Sequence, residues 1–148
     1  MADVLFYHLE QRPLESVLPA LLEKVIERGW RAVVEVGSGE RARALDTALW
    51  TYRDDSFLPH GLAGDAHDAE QPVLLTTATD NPNGATVRFF TDRAVPQSAE
   101  GYERIVYLFS GHDPDAVGEA RAAWKALQNG NAVTYWQQDA NGRWAKKG

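Results

Sequence analysis

The chain has no cysteine among its 148 residues. That excludes disulfides, thiolate-bound metal and a cysteine nucleophile, and it fits a reducing cytoplasm. No apolar run is long enough to cross a membrane. The opening Met1-Ala2-Asp3-Val4 has no basic region ahead of an apolar stretch, so no secretory signal is expected. Catalytic constellations are missing too. His8, His60, His67 and His112 stand at no spacing typical of metal ligands, no serine sits in a nucleophile elbow, and paired carboxylates fall only on helix exteriors or in loops. No metal, cofactor or catalytic residue is expected. Neither a repeat nor an interdomain linker breaks the chain, and its length suits one domain over residues 1–148.

Basic charge is scarce and unevenly placed. The net charge is −6. From Arg121 onward there are five basic residues (Arg121, Lys125, Arg143, Lys146, Lys147) and one acid, Asp139, a local balance of +4. Residues 1–120 carry ten basic and twenty acidic side chains, a balance of −10. An acidic body repels nucleic acid, which argues against a general DNA-binding surface. A small basic end on such a body suits a local anionic target such as an acidic peptide.

What is present reads as alternating strands and helices. Val4 to Leu9 is an apolar strand. Leu14, Val17, Leu18, Leu21, Leu22, Val25 and Ile26 recur at helical intervals, and Gly29 can close that helix as a left-handed cap. Pro19 is tolerable if the regular helix begins near Ser16, which places it in the first turn. Ala32 to Val36 is the second strand. Ala42, Leu45 and Leu49, with Ala48 beside them, mark the apolar face of the second helix. The run around Pro59, Gly61 and Gly64 allows only a stub of strand entering a turn. Asp65 to Glu70 reads as a solvated loop. Val73 to Thr77 and Thr86 to Phe90 are further strands, which can pair across the turn Asp80-Asn81-Pro82-Asn83-Gly84. Arg93 to Tyr102 is irregular. Arg104 to Phe109 is nearly all apolar. A last helix opens with Asp113 as cap and Pro114 in its first turn and ends at Asn129-Gly130. Ala132 to Gln137 is a terminal strand, Asp139 to Gly142 a turn, and Arg143-Trp144 the start of a short return. Several strands apolar throughout imply a mostly parallel sheet with helices on both faces, an α/β fold of Rossmann-like, nucleotide-binding-like type.

Three places invite a functional reading. Gly37-Ser38-Gly39, between a strand and a helix, has the outline of a phosphate-cradling turn. It lacks Gly-Lys-Ser/Thr and a third glycine at the dinucleotide spacing, and Ser38 is more simply the helix N-cap. Trp50 and Phe57 are large aromatics flanking a polar break. They either pack into the core or, with Pro59 and Leu62, form an apolar docking patch. On the last helix, Ala116, Ala120, Ala123 and Leu127 share one face. Arg121 and Lys125 share a flank, with Val117 and Gln128 beside Arg121 and Trp124 between the flank and the apolar face. Two cations four residues apart repel by about 0.2–0.5 kcal/mol, which an anion between them relieves. An indole beside them suits a ligand carrying an aromatic group and a carboxylate. The plainer reading has Trp124 lying over the core edge and two cations aiding solubility.

Leu49-Trp50, a polar spacer, then Ser56-Phe57-Leu58-Pro59-His60-Gly61-Leu62-Ala63-Gly64 resembles the chi subunit of bacterial DNA polymerase III. The likeness runs along nearly the whole chain. It implies a nucleotide-binding-like fold without a working phosphate loop, and an accessory subunit of the clamp loader assembly with no activity of its own. In that family an Arg-x-x-aromatic-Lys pattern on the last helix grips the acidic, Phe-terminated tail of single-stranded DNA-binding protein. Arg121, Trp124 and Lys125 match it, with Val117, Gln128 and Ser110 as expected neighbours. The resemblance also implies that Trp50, Phe57, Pro59 and Leu62 dock the psi subunit where one exists. Val117 stands where the family often has lysine, and Trp124 where tyrosine is familiar, so weaker or less salt-sensitive binding is expected. The alternative from another class is a small nucleotide-binding enzyme built on Gly37-Ser38-Gly39. Between His60's two readings, turn-holder and base, its place between Pro59 and Gly61 favours the first.

Overall fold

A computed structural model describes residues 2–10, 12–51, 59–64, 67–96, 99–141 and 143–147. Along the chain these form β1 (Asp3–Leu9), α1 (Leu14–Glu27), β2 (Ala32–Val36), α2 (Gly39–Thr51), β3 (Gly61–Leu62), β4 (Val73–Thr76), β5 (Val87–Thr91), β6 (Arg104–Ser110), α3 (Pro114–Leu127), β7 (Ala132–Gln138) and β8 (Trp144–Lys146). A single 3-10 turn, Asp68–Glu70, lies between β3 and β4. Phe57, and with it Ser56 and Leu58 of the signature run, lies outside the described residues.

The strands make one eight-stranded sheet in the order β3-β4-β2-β5-β6-β1-β7-β8. Every pairing is parallel except β7 with the short return β8. β4 and β5 are buried at every position, which is why apolar residues occupy both faces of each, with Arg88 the charged exception. The expected pairing of these two strands does not occur. They run parallel on either side of β2, and a tight turn cannot join parallel neighbours. Asn81 closes the turn between them through its bonds to Ala85, and buried Asn83 donates to the Ala32 and Gln71 carbonyls, pinning the loop to the start of β2.

Side-chain alternation divides the core. Val34, Val36, Leu75, Phe89 and Leu108 point to the face covered by α1 and α2, while Val4, Phe6, Ile105, Tyr107 and Phe109 point to the face covered by α3. Leu18 and Leu22 of α1 are completely buried, and each such side chain contributes roughly 1.5–3 kcal/mol. The buried stripe of α3 is Ala116, Ala120, Ala123 and Leu127, and its three alanines are small enough to set the helix close on the sheet. The chain moves one way across the sheet over the first face and the other way over the second, as right-handed crossovers require.

Helix α1 begins at Leu14, two residues before the expected start. Pro19 is therefore its sixth residue and lies in the helix interior. Gly29 takes the left-handed cap conformation with φ 76°. Part of the second face is closed by charge rather than helix. Arg88, 3% exposed, meets Glu35 at 2.6 Å and donates to the Ala78 and Asp80 carbonyls and the Tyr102 hydroxyl.

Candidate functional site: an aromatic cleft on the last helix

Asp113 caps α3 by accepting from the Asp115 and Ala116 amides, and Pro114 fixes the first turn. Arg93 reaches across to Asp113 at 3.4 Å and Glu119 at 2.6 Å, tying the helix start to the loop after β5. With the alanine stripe on the sheet, the next face of the helix overhangs β1 and β7. There a cleft of about 380 Å³ opens, lined by Val117, Ala120, Arg121, Trp124, Lys125, His8 and Tyr135.

Its floor is aromatic. Phe6 stacks on Tyr107 at 5.4 Å and lies parallel to Tyr135 at 6.5 Å. Trp124 stands edge-on to both Phe6 and Tyr135, at 5.3 and 5.8 Å. The indole is thus held upright as a wall, half-buried, while Arg121 and Lys125 are exposed on the rim. Burial raises the Tyr135 phenol above its ordinary range, against the pull of the Arg121 charge. The arrangement offers a flat apolar slot between rings with two cations at its mouth, which fits an aromatic group carrying or flanked by carboxylates.

Of the residues singled out on this helix, Val117, Arg121, Trp124 and Lys125 are brought together around the cleft. Gln128 and Ser110 are not. Gln128 is the exposed C-cap residue, seven positions beyond Arg121 and so about 10 Å along the axis. Ser110 fails by alternation: Tyr107 and Phe109 face α3, so Ser110 faces the opposite way and lines a different cavity. His8 and Tyr135 were missed. Both sit in strands whose apolar pattern is plain, but nothing in the linear sequence makes β1 and β7 neighbours.

The nucleotide alternative meets its test at the carboxyl edge of the sheet. A crevice of about 470 Å³ lies where β1 and β6 send their connections to opposite faces, the usual ligand position in such folds. Four carboxylates line it, Glu10, Glu15, Asp92 and Asp113, with three arginines, Arg12, Arg41 and Arg93. Arg41, the cation nearest the Gly37-Ser38-Gly39 turn in sequence, is held by Glu15 at 2.6 Å and Asp92 at 3.0 Å. Burial works to raise Glu15, but the hydrogen bond and charge of Arg41 outweigh it and hold the group below its ordinary range. Asp92 is raised, because burial outweighs the same arginine. A Cβ on Gly37 would lie 1.9 Å from the Asp92 carbonyl oxygen, so the close approach of the chain's own backbone requires glycine there. Asp92 and Arg93 adopt φ of 50° and 76° to make that approach. Ser38 spends its hydroxyl on the Arg41 amide as N-cap. Among the described residues no group of three His, Asp or Glu side chains is placed to hold a metal ion, and no helix is long and apolar enough to cross a membrane.

Trp50, at the end of α2, is 50% exposed, which settles its place outside the core. Its ring lies 4.6 Å from that of His60. His60 is buried and contacts Asp46 through both the carboxylate at 3.1 Å and the backbone carbonyl at 3.3 Å, so it holds the turn as expected. Pro59 and Leu62 are half-buried beside it, Leu62 in the edge strand β3. Five inter-strand spacings separate β3 from β1, about 24 Å. The indole patch and the α3 cleft therefore lie far enough apart to be occupied together.

Fold and surfaces together define a nucleotide-binding-like α/β domain with a crevice at the carboxyl edge of its sheet and a separate aromatic cleft under α3. A model of the family described as DNA polymerase III chi subunit, HolC, matches residues 1–134, and the chain belongs to that family. It is similar to the probable DNA polymerase III subunit chi of Rickettsia prowazekii, 30% identical over 87 residues that make up 59% of this chain and 53% of the relative. It is also similar to the DNA polymerase III subunit chi of Pseudomonas aeruginosa, 27% identical over 88 residues, 60% of this chain and 61% of the relative. The chain thus spans less than two thirds of the length of these curated relatives. The resemblance read from Leu49-Trp50 and the run after it is borne out.

Proposed function

We propose that this chain is a non-catalytic adaptor of a DNA polymerase III assembly, working in the cytoplasm as one chi-like unit. In this reading the α3 cleft takes the acidic, Phe-terminated tail of single-stranded DNA-binding protein, and the Trp50 patch docks a clamp-loader partner of the psi kind. The observation that carries it is the cleft itself: Arg121 and Lys125 on the rim of a slot whose walls are Trp124 and Tyr135. The terminal phenyl ring enters the slot, and the carboxylates meet the guanidinium and ammonium. Family membership supports the replication context. Arg41, the cation beside the Gly37-Ser38-Gly39 turn, is already held by Glu15 and Asp92, which weighs against the nucleotide enzyme.

Titrating tryptophan fluorescence with a synthetic acidic peptide ending in Phe tests the cleft, since Trp124 forms its wall. A saturable change is expected. No change, together with thermal stabilisation by a nucleotide and magnesium, would reverse the choice between the two readings. Partner docking is tested separately. Trp50→Ala should weaken capture of a clamp-loader partner while the thermal unfolding transition stays cooperative; a mutant that cannot fold would make the contact of Trp50 with His60 a folding contact instead of a docking one.

A further inference from the structure

The floor of the α3 cleft holds a linked set of groups that the peptide reading does not use. His8 Nδ1 is hydrogen-bonded to the Tyr135 hydroxyl. Its other nitrogen, Nε2, lies 3.1 Å from Glu10 Oε1. Glu10 is itself oriented by Gln137, whose Nε2 donates to the same oxygen at 2.9 Å. The ring is fixed from below as well, because a Cβ on Gly111 would fall 1.9 Å from His8 Nε2. Glu10, His8 and Tyr135 therefore form a chain that starts at a carboxylate and ends at a hydroxyl in the cleft.

Resting on the peptide reading, we propose that the Tyr135 hydroxyl is a third carboxylate-binding group of the cleft and that His8 decides whether it can donate. The Glu10 carboxylate lies 3.1 Å from Nε2 without hydrogen-bond alignment, and its negative charge favours the proton of neutral His8 on that nitrogen. Nδ1 then accepts the Tyr135 hydrogen, and the phenol shows an incoming carboxylate only lone pairs. When His8 takes a second proton, Nδ1 becomes a donor to the phenolic oxygen. The Tyr135 hydrogen is released and turns toward the ligand. Gripping a carboxylate and protonating His8 are one coupled event.

The groups around His8 fix the direction. Burial lowers it below the ordinary imidazole range, Glu10 works to raise it, and the neighbouring His112 works to lower it. Tyr135 and Gln137 face it from β7, the uncharged Phe109 ring from β6 at 5.1 Å, and the cleft is shared with Arg121 and Lys125 of α3. The imidazole is thus neutral at pH 8, and a bound carboxylate favours its protonated form. Affinity rises as pH falls, while peptide Asp and Glu side chains stay ionised down to about pH 5.

The test is isothermal titration of the full chain with an acidic peptide ending in Phe, between pH 8 and pH 5.5, in buffers of different ionisation enthalpy. Affinity should rise about tenfold across that range, with proton uptake on binding. Tyr135→Phe and His8→Gln line the cleft and can shift affinity at every pH, so the readout is the linkage: both should lose the rise and the uptake. Melting curves show whether the variants fold, and the uptake of the unaltered chain tests the linkage without them. Amidating the peptide terminus distinguishes the sources: linkage lost assigns the end carboxylate, linkage kept assigns an acidic side chain, and either supports the hydroxyl as the contact. Binding with no uptake overturns the linkage and leaves the peptide reading intact. Linkage that survives in His8→Gln but vanishes in His112→Gln overturns the assignment to His8. No binding at any pH removes both.

Discussion

Arg121→Glu separates binding from folding more cleanly than any other change in the cleft. The side chain is exposed, and it makes no ion pair among the described residues. Removing it should therefore shift folding stability by no more than about 0.5 kcal/mol. Glutamate at that position would precede Lys125 by four residues, the favourable order for a helix pair, which returns about 0.3–0.5 kcal/mol. Binding should respond very differently. A charge-assisted hydrogen bond from the guanidinium to a peptide carboxylate is lost, about 1.5–3 kcal/mol. A new repulsion of about 1 kcal/mol arises at contact distance in a water-like medium. Together these come to about 2.5–4 kcal/mol, two to three decades in Kd. The assay is anisotropy of a labelled acidic peptide ending in Phe against urea melts of the same preparations. Mutant affinity within about threefold of the parent, with both melts superimposable, would refute the cleft as the peptide site. Equal losses of affinity and stability would refute the claim that the rim is separate from the core.

Three further outcomes follow from the fold. Arg88→Met should destabilise by about 3–5 kcal/mol, because it leaves the Glu35 carboxylate and two loop carbonyls facing each other without a cation; a urea series reads it, and Glu35→Gln in the same background should restore part of the loss. Gly118→Ala should stabilise by about 0.5–1 kcal/mol, since an added Cβ meets open space on α3 and the helix interior favours alanine. Alkaline titration followed by tyrosinate absorbance should show Tyr107 ionising last, its phenol pushed up to about 12 by burial and by Glu119 against the opposing Arg93. The unfolded chain ionises there near 10, so Tyr107's contribution to stability is complete below pH 10 and falls away between pH 10 and about 12, roughly 2 kcal/mol. A transition whose midpoint is flat across that window would contradict it.

Local chemistry determined much of this protein before any strand was placed. The apolar runs, the helical periodicity of Leu14 to Ile26, the Asp113-Pro114 start and the left-handed glycine at 29 each act within a few residues, and each appears where the sequence puts it. Arg121, Trp124 and Lys125 were legible for the same reason: three and four residues along a helix is a local distance. The family run around Pro59 and His60 is likewise a continuous string. What lay beyond the sequence was every relation set by strand order. Only the parallel pairing of β1 with β7 brings His8 under Tyr135, residues 127 positions apart. Only the insertion of β2 between β4 and β5 buries Arg88 against Glu35. Alternation within β6 turns Ser110 away from the cleft, and the close approach of Asp92 to Gly37 explains a glycine that a linear motif assigns to phosphate. Side-chain direction along one element follows from its own period; which elements stand side by side is decided by burying both faces of the sheet at once, and that balance is spread over the whole chain.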